Sequence, residues 1–211
     1  MPVTISGSGT ITGIAAGGLP DGSIASSDLA DNAVTAGKLA SSLDLTGKTV
    51  TLPSGVGGKI LQVVTTDYTG LFSTVAANTW TQVSGLDRSI TLASDSSTVL
   101  IIVSLGQVSS ANDVGSAWDL RRDGTALLQG VAESARPTCT FKVGCYQPSH
   151  AIAASFIGID SPGSSGTKTY QVWCRAQGGT TLYLNRTNNN EDANETYAAR
   201  PASHLTLVEI A

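Results

Sequence analysis

Residues 167–176 read TKTYQVWCRA. Tyr170, Val172 and Cys174 fall on one side of an extended chain, and Gln171, Trp173 and Arg175 on the other. That two-residue period is the signature of a strand with one face toward a core. Reading outward from it, similar segments recur on both sides: KILQVVTT (59–66), NTWTQVS (78–84), SITL (89–92), TVLIIVSL (98–105), SAWDLRR (116–122), TALLQG (125–130), TCTFKVGCY (138–146), AIAASFIGI (151–159), TTLYLNR (180–186) and HLTLVEIA (204–211). Clusters of Gly, Pro, Ser, Asp and Asn separate them, and Asp123-Gly124 between two of them is a hairpin signal of the primed turn type. No helix of ordinary length is visible. About ten short strands at this spacing predict an all-β fold, a β-sandwich or jelly roll, over residues 59–211.

The first 58 residues are written differently. They hold 11 of the 23 glycines but no aromatic residue and no cysteine, whereas all 11 aromatics lie between Tyr68 and Tyr197. A segment of about 150 residues can bury roughly 70% of its unfolded surface, enough for one core. The first 58 cannot do so alone, which predicts one domain with an appendage. Residues 1–20, MPVTISGSGTITGIAAGGLP, alternate Thr, Ile and Gly and predict an extended arm. The Leu19-Pro20-Asp21-Gly22 sequence then signals a turn.

Next a ten-residue unit is written twice, DGSIASSDLA (21–30) and DNAVTAGKLA (31–40). Its large apolar residues, Ile24, Leu29, Val34 and Leu39, are spaced five apart, which matches neither the strand period nor the helix period. Ser27 or Asp28, and then Thr35, are placed to cap single turns of helix, so short turns alternating with short extended pieces satisfy the pattern. With one large apolar residue in five, the unit cannot form a core of its own, and two copies are too few for an intramolecular solenoid. Either it is a flexible Ala/Ser/Gly linker, or identical chains bring these aliphatics together around a symmetry axis. Linkers seldom keep aliphatics in phase, and the expectation is therefore a short shaft of three chains over residues 21–58, ending in a hinge at Gly55–Gly58.

Charge narrows the partners. Only 13% of residues are charged and the net charge is −4. No Lys/Arg cluster offers an electrostatic footprint for nucleic acid. The longest aliphatic run, Val99–Val103, is far too short to span a bilayer. A cationic leader is not seen, since the first basic side chain is Lys38. Release from a cell would then proceed through lysis or assembly.

Motifs of chemistry are weak throughout. Gly47-Lys48-Thr49 lacks the earlier glycine of a phosphate loop, because position 42 is Ser42. Gly7 and Gly9 start a dinucleotide fingerprint that Thr12 breaks. His150 and His204 have no partner at metal-ligand spacing, so no cofactor or metal is expected. Cys139 and Cys145 would lie ~20 Å apart on one continuous strand, and Cys174 reads as a small core residue; three free, mostly buried thiols are expected. Trp80, Trp118 and Trp173 all fall in strands and read as core. Around Asn188, Asn190 and Asp192 the chain concentrates oxygen ligands without completing an EF-hand, because Ala193 and Ala199 stand where Gly and Glu are needed. That loop is read either as a solvated loop or as a sugar or ion site. No nucleophile elbow or paired carboxylates appear, so an enzyme is not expected.

One long phrase carries a likeness. ISGSGTITGIAAGGLPDGSIASSDLADNAVTAGKLA (5–40) resembles the N-terminal part of tail-fibre-like virion proteins of tailed phages of cyanobacterial and marine hosts, which often show ISGSGTITGL, a GGLPDG turn and NAVTTAKLA-type repeats. SGVGGKILQVV (54–64) is similar to the family's junction into its head, and FIGIDSPGSSGTKTYQVWCRA, TLYLNR and SHLTLVEIA follow its closing scheme. Here Ala36-Gly37 replaces the common Thr-Ala pair, and only two decamers are present. The resemblance implies a non-enzymatic homotrimer in the virion, with an N-terminal arm seated on capsid or tail proteins and a C-terminal head projecting. Ile5, Ile11 and Ile14 of the neutral arm are the expected anchoring residues, since a Gly-rich extended strip can add to another protein's sheet edge. A capsid decoration, cement or head-fibre role is the leading expectation. The alternative is a tail fibre or receptor-binding protein that recognises a host-surface glycan.

Overall fold

The computed structural model describes residues 18, 22–31, 33–39, 46–47, 59–112, 114–144, 151–190 and 192–211. The chain divides into two compact units, Met1–Pro53 and Ser54–Ala211. In the first, the sequence repeat is also a structural repeat. Two 3-10 turns, Ser26–Asp28 and Ala36–Lys38, occupy the same place in each decamer. The Asp28 carboxylate accepts the Ala25 N–H at 2.8 Å, so Asp28 closes its turn from inside, and the cap position itself is Ala25. In the second copy Lys38 replaces Asp28 and donates to the Ala33 carbonyl at 2.8 Å. The expected anchoring residues Ile5, Ile11 and Ile14 lie outside the described residues.

The second unit is all-β, with eleven strands in two curled antiparallel sheets among the described residues. They are β1 (Ile60–Tyr68), β2 (Phe72–Thr74), β3 (Trp80–Leu92), β4 (Thr98–Ser110), β5 (Ser116–Arg122), β6 (Thr125–Leu127), β7 (Phe141–Val143), β8 (Ile152–Asp160), β9 (Gly166–Ala176), β10 (Leu182–Leu184) and β11 (Ser203–Ile210). One sheet runs β1-β11-β4-β10-β2, with β8 also on β4; the other runs β3-β9-β5-β6, with β7 also on β5. First and last strands pair along their length, and the Ala211 N–H donates to the Lys59 carbonyl at 2.8 Å.

The alternation of TKTYQVWCRA holds: Tyr170, Val172 and Cys174 are buried in β9, facing Val99, Ile101, Val103 and Leu105 of β4 and Leu205 and Leu207 of β11 within one core. Trp118 enters this core from β5. It stacks on Phe141, which stacks in turn on Phe156 of β8. The sixteen buried Val, Leu and Ile side chains of this core, at about 1.5–3 kcal/mol each, are the main favourable term for the unit. Cys174 sits deep enough that burial pushes its thiol up to about 12, so it packs as a hydrophobe.

Two features depart from the sequence reading. The segments 78–84 and 89–92 belong to one strand, β3, with a register shift between Gln82 and Asp87. Gly85 has φ +91° inside it, a conformation that suits glycine and lets the strand bulge and continue. The second is a buried polar hub at Asn185, which follows β10 with φ +60°. Its amide donates to the Tyr68 and Gly70 carbonyls at 2.9 and 3.0 Å, and its carbonyl accepts the Ser203 hydroxyl at 2.7 Å. Ser203 in turn accepts the Gly106 N–H at 3.0 Å. Asn185 and Ser203 together thus tie the end of β1 and the start of β11 to Gly106 inside β4, and both polar atoms of the Asn185 side chain are paired. By contrast, the hairpin signal at Asp123-Gly124 is realised as read, with both residues at positive φ between β5 and β6.

Candidate interaction surfaces

The repeat presents its aliphatics to solvent. Ile24, Leu29, Val34 and Leu39 are each between 47% and 53% exposed in the single chain. Each recurs at the same place relative to its 3-10 turn.

On the five-stranded sheet, the outer face holds the residues that alternate with the core. Cross-strand pairing places Lys142, Ala117, Arg175 and Trp80 in one row, and Asp119, Trp173 and Gln82 in the next. Trp118 alone of the three tryptophans belongs to the core; Trp80 and Trp173 stand on this outer face, contrary to the sequence expectation. The error was one of parity, because Trp173 alternates with Val172 and Cys174. The Arg121 guanidinium lies over both indoles, at 4.3 Å from Trp173 and 5.5 Å from Trp80. It is held by Asp119 at 3.1 Å, a fully buried carboxylate that also accepts the Gln129 amide at 2.8 Å. The Trp173 indole N–H is buried and has no acceptor among the described residues.

Beside this row an open cleft of about 600 Å³ is lined by Asn78, Pro137, Cys139, Lys142, Arg175 and Gln177, among others, with no carboxylate among the described residues that line it. Burial pushes the Cys139 thiol up, and the neighbouring Asp119 charge adds to the rise, so this half-buried cysteine is a poor nucleophile. Elsewhere, Asp160 accepts both the Tyr170 hydroxyl, at 2.7 Å, and Arg122. Burial first, and then the bond to Asp160, push the Tyr170 phenol up, which keeps it a neutral donor. This is a structural ion pair at a sheet edge.

Asn190 accepts from Arg200 at 3.2 Å, Asp192 is exposed, and no group of three or more His, Cys, Asp or Glu is placed to hold a metal among the described residues. His204 pairs with Asp67 at 2.8 Å on the surface, and His150 and Cys145 lie outside the described residues.

No protein-family model matches the sequence, and neither does any curated protein.

Proposed function

We propose that this chain is a non-enzymatic structural protein of a tailed-phage virion. Three copies join through residues 21–58 into a short shaft, residues 1–20 dock on capsid or tail proteins through Ile5, Ile11 and Ile14, and a jelly-roll-like head projects as a capsid decoration, cement or head fibre. The observation that carries this reading is the repeat: Ile24, Leu29, Val34 and Leu39 stay half exposed and in phase, a pattern that symmetry mates around one axis would bury. The orders β1-β11-β4-β8 and β3-β9-β5-β7 are those that two Greek keys produce when wound into a jelly roll, which supports that part of the reading. Resemblance of residues 5–40 to phage fibre proteins supplies the setting.

Light scattering at micromolar concentration tests the assembly, with a trimer expected and a monomer fatal. Deleting residues 1–20 tests the docking. The truncated protein is expected to remain a soluble trimer and to disappear from particles; attachment at normal copy number would move the anchor to the head.

A second reading is favoured by a separate observation. Trp80 and Trp173 are outside the core, next to a cleft that carries Lys142 and Arg175. Indoles and cations with no ion pair among the described residues suit recognition of an acidic host-surface glycan. An array of acidic and neutral glycans, probed with the wild type and with Arg175→Ala, separates the two readings: retention of acidic glycans that Arg175→Ala abolishes supports it, and no retention removes it.

A further inference from the structure

We infer that the outer face of the six-stranded sheet is a docking surface for another copy of this chain, so that heads as well as shafts associate. Cross-strand pairing builds the face in rows. Val63, Val208, Leu100 and Ile159 stand in the first, and Thr65, Thr206, Ile102 and Ile157 in the second. Asp67, His204, Ser104 and Ser155 stand in the third. All alternate with the buried Ile101, Val103, Leu205 and Leu207, so they point away from the core. Ile157 is 65% exposed, Val63 57% and Ile159 56%. Ile60 and Leu61, also largely exposed, extend the apolar edge along β1.

Isolated exposed aliphatics are ordinary, but this is one contiguous sheet face, with aliphatics at one end grading into hydroxyls and an ion pair at the other. Its apolar part is on the order of 500 Å², the size at which a patch on a monomer marks an interaction site. That is more than half of the ~800 Å² per partner that a standard interface buries.

Two observations point to a second copy as the occupant. The first two rows contain no charged side chain, so identical faces meet without like-charge repulsion. The face is bounded by two edge strands, β1 and β8, which offer different flanks; a flank-to-flank contact between identical chains is heterologous, the kind that forms a ring when the rotation from copy to copy closes. The choice of a second copy as the occupant rests on the homotrimer reading; the composition of the face does not.

The test uses the full chain with Ser155 replaced by the photoreactive p-benzoylphenylalanine. Ser155 lies in the third row, exposed and outside the aliphatic rows. Irradiation of the purified protein is expected to give covalent dimers and trimers whose linked peptides come from β1 or β8 of a different copy. Ile157→Asp added to this variant is expected to lower the linked yield by about tenfold or more, with the circular dichroism spectrum unchanged. A trimer by light scattering with no interchain links overturns the head-to-head surface while leaving the shaft intact. A monomer overturns both. Links that form only on particles, and only to a different virion protein, also overturn it.

Discussion

The outer face of the six-stranded sheet and that of the five-stranded sheet obey the same two-residue period, yet they end in opposite states. The first presents Val63, Ile157 and Ile159 largely exposed, beside the partly buried Leu100 and Ile102. The second presents Trp80, Trp173, Arg121 and Asp119, which pack on one another: the guanidinium covers both indoles and pairs with the buried carboxylate. A sheet's solvent side can therefore be closed internally by pairing aromatic and ionic groups, or left apolar for another molecule. Burial against the core cannot distinguish the two, since both sheets contribute equally good inner faces. What separates them is whether the outward residues can act as partners for each other.

The sharpest way to break this contrast is to place a charge on the apolar face. Val63→Asp is expected to weaken association by about 100-fold, which is roughly 2.7 kcal/mol, because docking would bury an unpaired carboxylate. The isolated fold is expected to change by no more than ~0.5 kcal/mol. Sedimentation equilibrium and a urea melt measure the two separately; equal losses in both would erase the distinction between the faces. Arg121→Ala attacks the other side. It strands Asp119 in the interior and uncovers two indoles, at an expected cost of about 2 kcal/mol in unfolding free energy with no change in oligomer mass. A variant that dissociates without losing stability would show that the five-stranded face is the interface.

Acid separates folding from docking at a third position. Glu209 on the inner side of β11 is fully buried and accepts from Gln62, Ser97 and the Ala93 N–H at 2.6–2.7 Å. Burial alone would raise its carboxyl, but these three donors outweigh burial and hold it below its ordinary value of 4.5. A depressed carboxyl stabilises the fold above its unfolded value and loses that contribution as pH falls through the folded one. Urea midpoints are therefore expected to fall below about pH 4.5 for the wild type, while Glu209→Gln is weaker at pH 7 by about 1–2 kcal/mol and flatter with pH. Parallel curves would remove Glu209 from the account. The smallest effect is expected at Val131, which is 96% exposed but isolated from any patch. Val131→Ser should change neither stability nor mass by more than ~0.5 kcal/mol; a larger change would mean that exposure alone, without contiguity, marks a contact.

The sequence made the strands legible wherever the side chains themselves alternate. TKTYQVWCRA gave the inner face of β9 residue by residue, and Asp123-Gly124 gave its hairpin. The same alternation contained the position of Trp173 and was overridden by the habit of putting tryptophan inside. Repeat turns were legible because ten-residue spacing survives a change from Asp28 to Lys38. Asn185 was not, since its role depends on Tyr68, Gly70 and Ser203, which are distant in sequence and meet only once the sheet is built. The apolar face was hidden for a related reason. Its rows run across four strands that are not consecutive, so no window of sequence shows Val63 beside Val208, Leu100 and Ile159.

The hydrogen bond between Ala211 and Lys59 places the two ends of the head side by side. Chain order within the head is then a matter of where the polypeptide is cut, not of how the sheets are wound. A linker of about three Gly/Ser residues would close residues 59–211 into a ring, and the exposed Asp123-Gly124 turn is a suitable place to reopen it. Such a circular permutant would carry the same sheets while moving its point of attachment to the far end of β5, so that a head could be presented in an inverted orientation.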